Sequence, residues 1–216
     1  MHVNSVNNYN SLNFRAQKIA KAKNCYKGLT THIDIYRLNE SDNNFLKKLL
    51  DSIDLKRLLP DISNDKLKLY QDVFRAGIFN AMDSINTAYI AMSNNTPCAL
   101  LALQPGKTTN FLDLVSIPID KNKKVNWASQ TLLYQAFLDS KKANANTIKL
   151  EAVKDSFGNP VEKYKEWGLE AISEGDKYVE MHCNRPNIIR QLGRFSEKIG
   201  YKKVKQKNIN IEKFVN

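Results

Sequence analysis

Cysteine is scarce in this 216-residue chain: Cys25, Cys98 and Cys183 are odd in number and widely spaced. That excludes a disulfide framework and a tetrahedral metal site built on thiolates, and no metal is expected. It also makes a reducing cytoplasm the default compartment. Cys98 and Cys183 fall in apolar strand-like runs and read as small core residues, because no histidine has an evident place beside them to activate a nucleophile. Long apolar runs are missing as well. The longest, Cys98 to Leu103, is strand length, far below the roughly 20 residues that cross a bilayer, and the N-terminus lacks the apolar stretch of a secretory signal. No membrane partner is expected. No acidic residue occurs before Asp34, and Lys plus Arg number 33 against 22 Asp plus Glu, a net charge of +11.

That surplus gathers at the two ends, in Lys18, Lys21 and Lys23 and in the run Y-K-K-V-K-Q-K from Tyr201 to Lys207. It admits a nucleic-acid partner. Abundant Asn, Lys and Ile are however what an A/T-rich coding sequence yields, and no aromatic-and-basic recognition motif accompanies the lysines. Solvated ends are the favoured reading. With 42% hydrophobic residues the chain can build one compact domain plus a tail. Residues 1–31, Asn-rich and polar, are expected to form a flexible basic extension, and 32–216 a single domain with its core in 33–183 and a C-terminal helix and basic tail over 187–216.

Periodicity supplies the elements. H-I-D-I-Y-R-L from His32 alternates as a half-buried strand does, and Asn39 to Asp42 supply capping chemistry for a helix carrying Phe45, Leu46, Leu49, Leu50 and Ile53. After Pro60 a second helix carries Leu67, Leu69, Val73, Phe74, Ile78 and Met82. Three strands, Thr87 to Met92, Cys98 to Leu103 and Phe111 to Ile117, are separated by Asn and Pro-Gly turn signals and predict an antiparallel meander. A long helix with Leu132, Leu133, Ala136 and Phe137 follows, then a strand from Thr147 to Val153. Asn159-Pro160 opens a short helix that Gly168 closes, with Val161, Tyr164 and Lys165 on one face, so Tyr164 points inward or into a cleft. Strands at Glu170 to Ser173 and Lys177 to Cys183 and a helix over 187–199 complete the chain. The class is α+β, a mixed, mostly antiparallel sheet of about six to seven strands flanked by helices, in the order β-α-α-β-β-β-α-β-α-β-β plus a C-terminal helix.

That order, with I-D-I-Y-R-L-N-E-S-D at Ile33 to Asp42 and Y-K-E-W-G-L at Tyr164 to Leu169, resembles the GNAT superfamily of acyl-CoA-dependent N-acyltransferases over roughly residues 33–183. The resemblance implies transfer of an acetyl group from acetyl-CoA, the co-substrate, to a small-molecule or peptide amine by direct attack, in a monomer or homodimer. It implies a pyrophosphate site at the N-terminus of the long helix, where unpaired amides and the helix dipole meet an anion, placed here in Lys123, Lys124, Val125, Asn126, Trp127, Ala128 and Ser129. The family usually has glycines in this loop; this chain has none between Gly106 and Gly158, and Lys121, Lys123 and Lys124 supply positive charge instead. Val115, Ser116 and Ile117 are implied as main-chain partners of the pantetheine arm, and Asn159 as a further cofactor contact. Tyr164 is implied as the general acid on the leaving sulfur, with Glu151 first and Asp113 second as candidates for the base. The alternatives are a degenerate GNAT-like binding module and a basic RNA- or ribosome-associated protein.

Overall fold

The computed structural model describes residues 15–26, 28–118, 125, 127–154 and 159–214. Its strands are β1 (Gln17–Tyr26), β2 (Leu29–Arg37), β3 (Thr87–Ser93), β4 (Thr96–Gln104), β5 (Thr109–Ser116), β6 (Thr147–Val153), β7 (Glu170–Glu174), β8 (Tyr178–Asn184) and β9 (Lys202–Asn208). The helices are α1 (Asn43–Ser52), the single turn α2 (Leu55–Leu58), α3 (Asn64–Met82), α4 (Ala128–Lys142), α5 (Pro160–Glu166) and α6 (Arg185–Ile199). All nine strands form one sheet in the order β7-β8-β6-β5-β4-β3-β2-β1-β9. Every neighbouring pair is antiparallel except β5 and β6. The mixed, mostly antiparallel architecture is the one the sequence predicts.

Helices cover both faces of the sheet centre, which is why β4 reads as an unbroken apolar run rather than an alternation. Leu101 and Leu103 face the core beneath α4, α5 and α6, whereas Leu100 and Ala102 face the core beneath α1 and α3. Cys98 and Cys183 are buried, and burial pushes both thiols up to about 12, so they are inert packing residues. Gly168, at φ 87°, follows α5, and Gly200, at φ 55°, follows α6; both hold the left-handed conformation that ends a helix. A polar network anchors α4 to the sheet. Tyr89 donates to Asp139 at 2.6 Å, Gln135 donates to the same carboxylate at 3.0 Å, and the Tyr201 hydroxyl donates to Gln135.

Two expectations are corrected. Residues 17–26, expected within a flexible extension, are β1, and residues 202–208, expected as a solvated tail, are β9, which pairs with β1; the sheet therefore has nine strands rather than six or seven. In β1 the period-2 signal is carried by small residues: Ala20, Ala22 and Asn24 are buried while Lys21, Lys23 and Cys25 are exposed. In β9 only Val204 is apolar, and a lysine-rich edge held by backbone pairing has little side-chain pattern to read.

Buried Asp42 fastens β1 to the β2–α1 connection. Its carboxylate accepts from the backbone N–H groups of Ala16 at 3.2 Å and Asn39 at 3.1 Å. Burial pushes its carboxyl up to about 6, against the opposing effect of those two donors. A raised folded-state value means that the folded protein binds the proton more tightly than the unfolded chain, so stability is fully present below about pH 4 and is lost as pH rises through 6. Asp42→Asn removes this titration. The difference in stability between wild type and variant should shift by roughly 2 kcal/mol against the wild type between pH 4 and 7, measured as melting temperature against pH; parallel profiles would contradict it.

Candidate active site

Parallel pairing of β5 with β6 is confined to Thr109–Phe111 against Thr147–Lys149. Beyond those three pairs the strands part, and the sheet opens a V toward their C-terminal ends. On the other side β5 stays paired with β4 through Ser116, and the Ile117 N–H donates to the Cys98 carbonyl at 2.9 Å. Backbone groups alternate along a strand, so Val115 and Ile117 direct theirs at β4, and Leu114 and Ser116 direct theirs into the gap. Of the expected main-chain partners Val115, Ser116 and Ile117, only Ser116 turns its backbone groups into the gap, as Leu114 does; Val115 and Ile117 turn theirs to β4, and Ile117 is a buried core residue.

The gap opens into a cleft of about 920 Å³, part of it open to solvent. Its walls come from α3 (Lys66, Leu69, Tyr70 and Val73), β5 (Leu114 to Ser116), β6 (Glu151 to Val153) and α5 (Pro160, Lys163 and Tyr164), with Trp167 and Ser129 at its ends. Gly77 sets how closely α3 approaches. A Cβ at that position would fall well inside van der Waals contact of Val115 Cγ2.

Tyr164 is 8% exposed, and its ring meets Trp167 edge-on, with centroids 5.4 Å apart at 84°. It belongs to the core on the α4 side, yet its hydroxyl interacts electrostatically with Tyr70 and Asp113, which lie on the α3 side. The side chain therefore reaches into the opening between the strands. Burial, then Tyr70 and Asp113, raise its phenol above the ordinary value, so it is neutral and holds its proton at physiological pH.

Glu151 lines the cleft on the open face of β6 and is exposed. Asp113 is not among the lining residues; its carboxylate accepts from Asn80 at 2.6 Å. Packing around the Asp113 carboxyl raises it above the usual range, and the Asn80 donor opposes this.

The Ser116 and Ser129 hydroxyls meet at 2.8 Å and join the end of β5 to the first turn of α4. That turn has no side-chain cap, which leaves the amides of Ala128, Ser129 and Gln130 without intrahelical partners. Trp127 precedes it at φ 72°, the left-handed conformation in which glycine is at ease, and its indole packs on the core together with Val125; Ala128 is buried there. Lys123, Lys124 and Asn126 lie outside the described residues. Asn159 caps α5, its Oδ1 accepting from Glu162 N–H at 3.4 Å, and does not line the cleft. Among the described residues no group of His, Cys, Asp or Glu is arranged to hold a metal. Sequence reasoning missed Tyr70, although it stands at helical spacing between Leu67 and Phe74, and it missed Trp167 as a wall of the cleft.

A splayed parallel pair, an uncapped helix N-terminus and a tyrosine reaching into the gap are features of one fold. The chain has the GNAT fold. Solved structures similar to it include the PaiA N-acetyltransferase of Thermoplasma acidophilum in complex with coenzyme A, at 15% identity over 70% of this chain and 98% of that one, TM-score 0.52. The apo form of FdhC, a nucleotide-linked sugar GNAT, matches at 13% identity over 87% of this chain and 98% of that one, TM-score 0.54. An aminoglycoside 6'-acetyltransferase type Ii matches at 14% identity over 70% and 96%, TM-score 0.51. No family model and no curated protein matches the sequence. The GNAT fold here thus carries a sequence far from those neighbours, and β1 and β9 lie outside residues 33–183, where the sequence resemblance runs.

α3 packs on β5 through Gly77 and Val115. Gly77→Ala gains about 1 kcal/mol of helix propensity, but Val is stiff about χ1, so the clash with Val115 dominates. A net loss of about 1–2 kcal/mol is expected in denaturant unfolding, and Val115→Ala in the same chain should recover most of it.

Proposed function

We propose that the chain is a divergent member of the GNAT superfamily that transfers an acetyl or similar acyl group from acyl-CoA to a primary amine. The observation that carries this reading is the parting of β5 from β6 with the neutral Tyr164 reaching into the gap. The residues present fit an acyl-CoA. Leu114 and Ser116 offer main-chain groups to an extended amide-bearing arm, and the first turn of α4 offers amides and a dipole to a pyrophosphate. Trp167 adds a buried indole N–H that has no partner among the described residues, beside the same cleft.

Bound acetyl-CoA supplies a thioester carbonyl for attack by the amine. Glu151, reachable directly or through one water, accepts the proton that the amine loses as its C–N bond forms. Tyr164 donates its proton to sulfur as the C–S bond breaks and regains one from solvent. A phenol held above its ordinary value keeps its proton at neutral pH, so it is present as a donor and not as a base. The compartment that fits three free thiols is a reducing cytoplasm.

A second reading, a GNAT-like binding module without catalysis, is favoured by Trp127, a bulky residue where a close backbone approach to phosphate suits glycine. Kinetics separate the two. With an amine panel and acetyl-CoA, Tyr164→Phe should lower kcat by about 100-fold or more while leaving KM for acetyl-CoA within about threefold. A kcat within threefold of wild type would remove Tyr164 from the chemistry, and absence of turnover with every amine in the wild type would favour the binding module.

A further inference from the structure

The two basic ends, about 180 residues apart in sequence, meet in the fold. β1 carries Lys18, Lys21 and Lys23, and β9 carries Lys202, Lys203, Lys205 and Lys207, with no acidic residue on either strand. In register, Lys21 stands opposite Lys202, and Lys18 opposite Lys207. Like charges directly opposed across an antiparallel pair destabilise it. Asp34 on β2 stands opposite Lys21 in register, on the same face, and pairs with Lys18 at 2.5 Å.

The shape is as distinctive as the charge. β3 pairs with β2 over Asp34–Arg37 and ends at Ser93, but β1 and β2 continue as a two-stranded ribbon for five further pairs, from Ala22↔Ile33 to Tyr26↔Leu29. At 3.4 Å per residue that is about 17 Å of ribbon beyond β3. One face of it is closed by α6: Ala22, Asn24 and Ile33 are buried, and the Asn24 amide donates to the Lys198 carbonyl. On the opposite face Lys21, Lys23, Cys25, Thr30 and His32 are exposed, continuous with exposed Lys202.

We infer that this bare ribbon face, with Lys21, Lys23 and Lys202 at its centre, docks the phosphodiester backbone of a nucleic-acid duplex. The site is distinct from the cleft and independent of the acyl-transfer reading. Lys21 and Lys23 are about 7 Å apart along the strand, twice the 3.4 Å axial step of one phosphate strand, and Lys202 doubles the row. A phosphate backbone laid across them relieves the like-charge opposition that the fold otherwise carries. The bare face presents lysine point charges and no Arg, Asn or Gln fork for base edges, so recognition is of the backbone and independent of sequence. An anionic bilayer is the less suitable occupant, because among the described side chains the ribbon offers one exposed large apolar group, Leu29 at its tip.

Fluorescence anisotropy with labelled 20-base-pair duplexes of DNA and of RNA, in two unrelated sequences each, tests this in the full chain. Micromolar binding at about 50 mM NaCl is expected, equal between sequences, with a log–log salt slope of about −3 to −5. Lys21→Gln/Lys23→Gln/Lys202→Gln should weaken binding at least tenfold and flatten the slope by about 2 to 3. Lys47→Gln/Lys48→Gln/Lys56→Gln, an equal change of net charge on exposed positions of α1 and α2, should stay within twofold. Equal weakening by both triples would reduce the effect to net charge and overturn the site. So would absence of saturation at 100 µM protein, or ribbon-dependent binding to phosphatidylserine vesicles with no ribbon-dependent binding to either duplex.

Discussion

Parallel pairing between β5 and β6 ends after Phe111 and Lys149, and the candidate site follows from that early end. Backbone groups that a continuing ladder would have satisfied are left facing an opening, and a buried polar group without a partner costs about 1–3 kcal/mol. The opening is kept by wedges on both faces. Tyr164 and Trp167 enter from α5, and α3 closes against Val115 through Gly77. The unpaired groups of Leu114 and Ser116 are then available to water or to a ligand that offers amides of its own, and a strand-like arm is the complement that a β edge specifies.

The electrostatics of the opening divide by depth. Its floor holds a phenol kept neutral by burial, with Tyr70 and Asp113 adding to the effect, while one end meets the uncapped first turn of α4. A helix N-terminus attracts an anion and a buried neutral phenol can donate a proton, so under the proposed function each end of a thioester-bearing polyanion would have a partner along one groove. The network of Tyr89, Asp139, Gln135 and Tyr201 keeps α4 against β3 and thereby holds its N-terminus beside Ser116. Tyr201, immediately before β9, ties that distant sheet edge to α4.

Sequence legibility followed the strength of local pattern. The meander of β3, β4 and β5, the amphipathic helices and the capped α5 were readable because Asn, Pro and Gly punctuate apolar runs whose periods differ. β1 and β9 were not, because Ala20 and Ala22 are too small and Val204 too solitary to mark an inward face among lysines, and because their pairing spans nearly the whole chain. At the site, Tyr164, Glu151, Ser116 and Ser129 were legible and converge on one cleft. Leu114 was hidden for a geometric reason: which strand residues face the gap depends on which edge is paired, a property of register that alternation alone leaves open. Asn159 serves here as the N-cap of α5, a place that an Asn ahead of a helix fills as readily as a ligand contact, so the sequence alone did not distinguish the two.

The central claim is that the V between β5 and β6 receives the extended arm of acyl-CoA. Calorimetric titration with coenzyme A, coupled to hydrogen exchange of the bound and free protein, tests it most directly. Saturable micromolar binding with new protection at Leu114 and Ser116 and in the first turn of α4, and none at β9, is the predicted result. No heat at several hundred micromolar ligand, corresponding to a binding free energy weaker than about 5 kcal/mol, or protection confined to other elements, would contradict it.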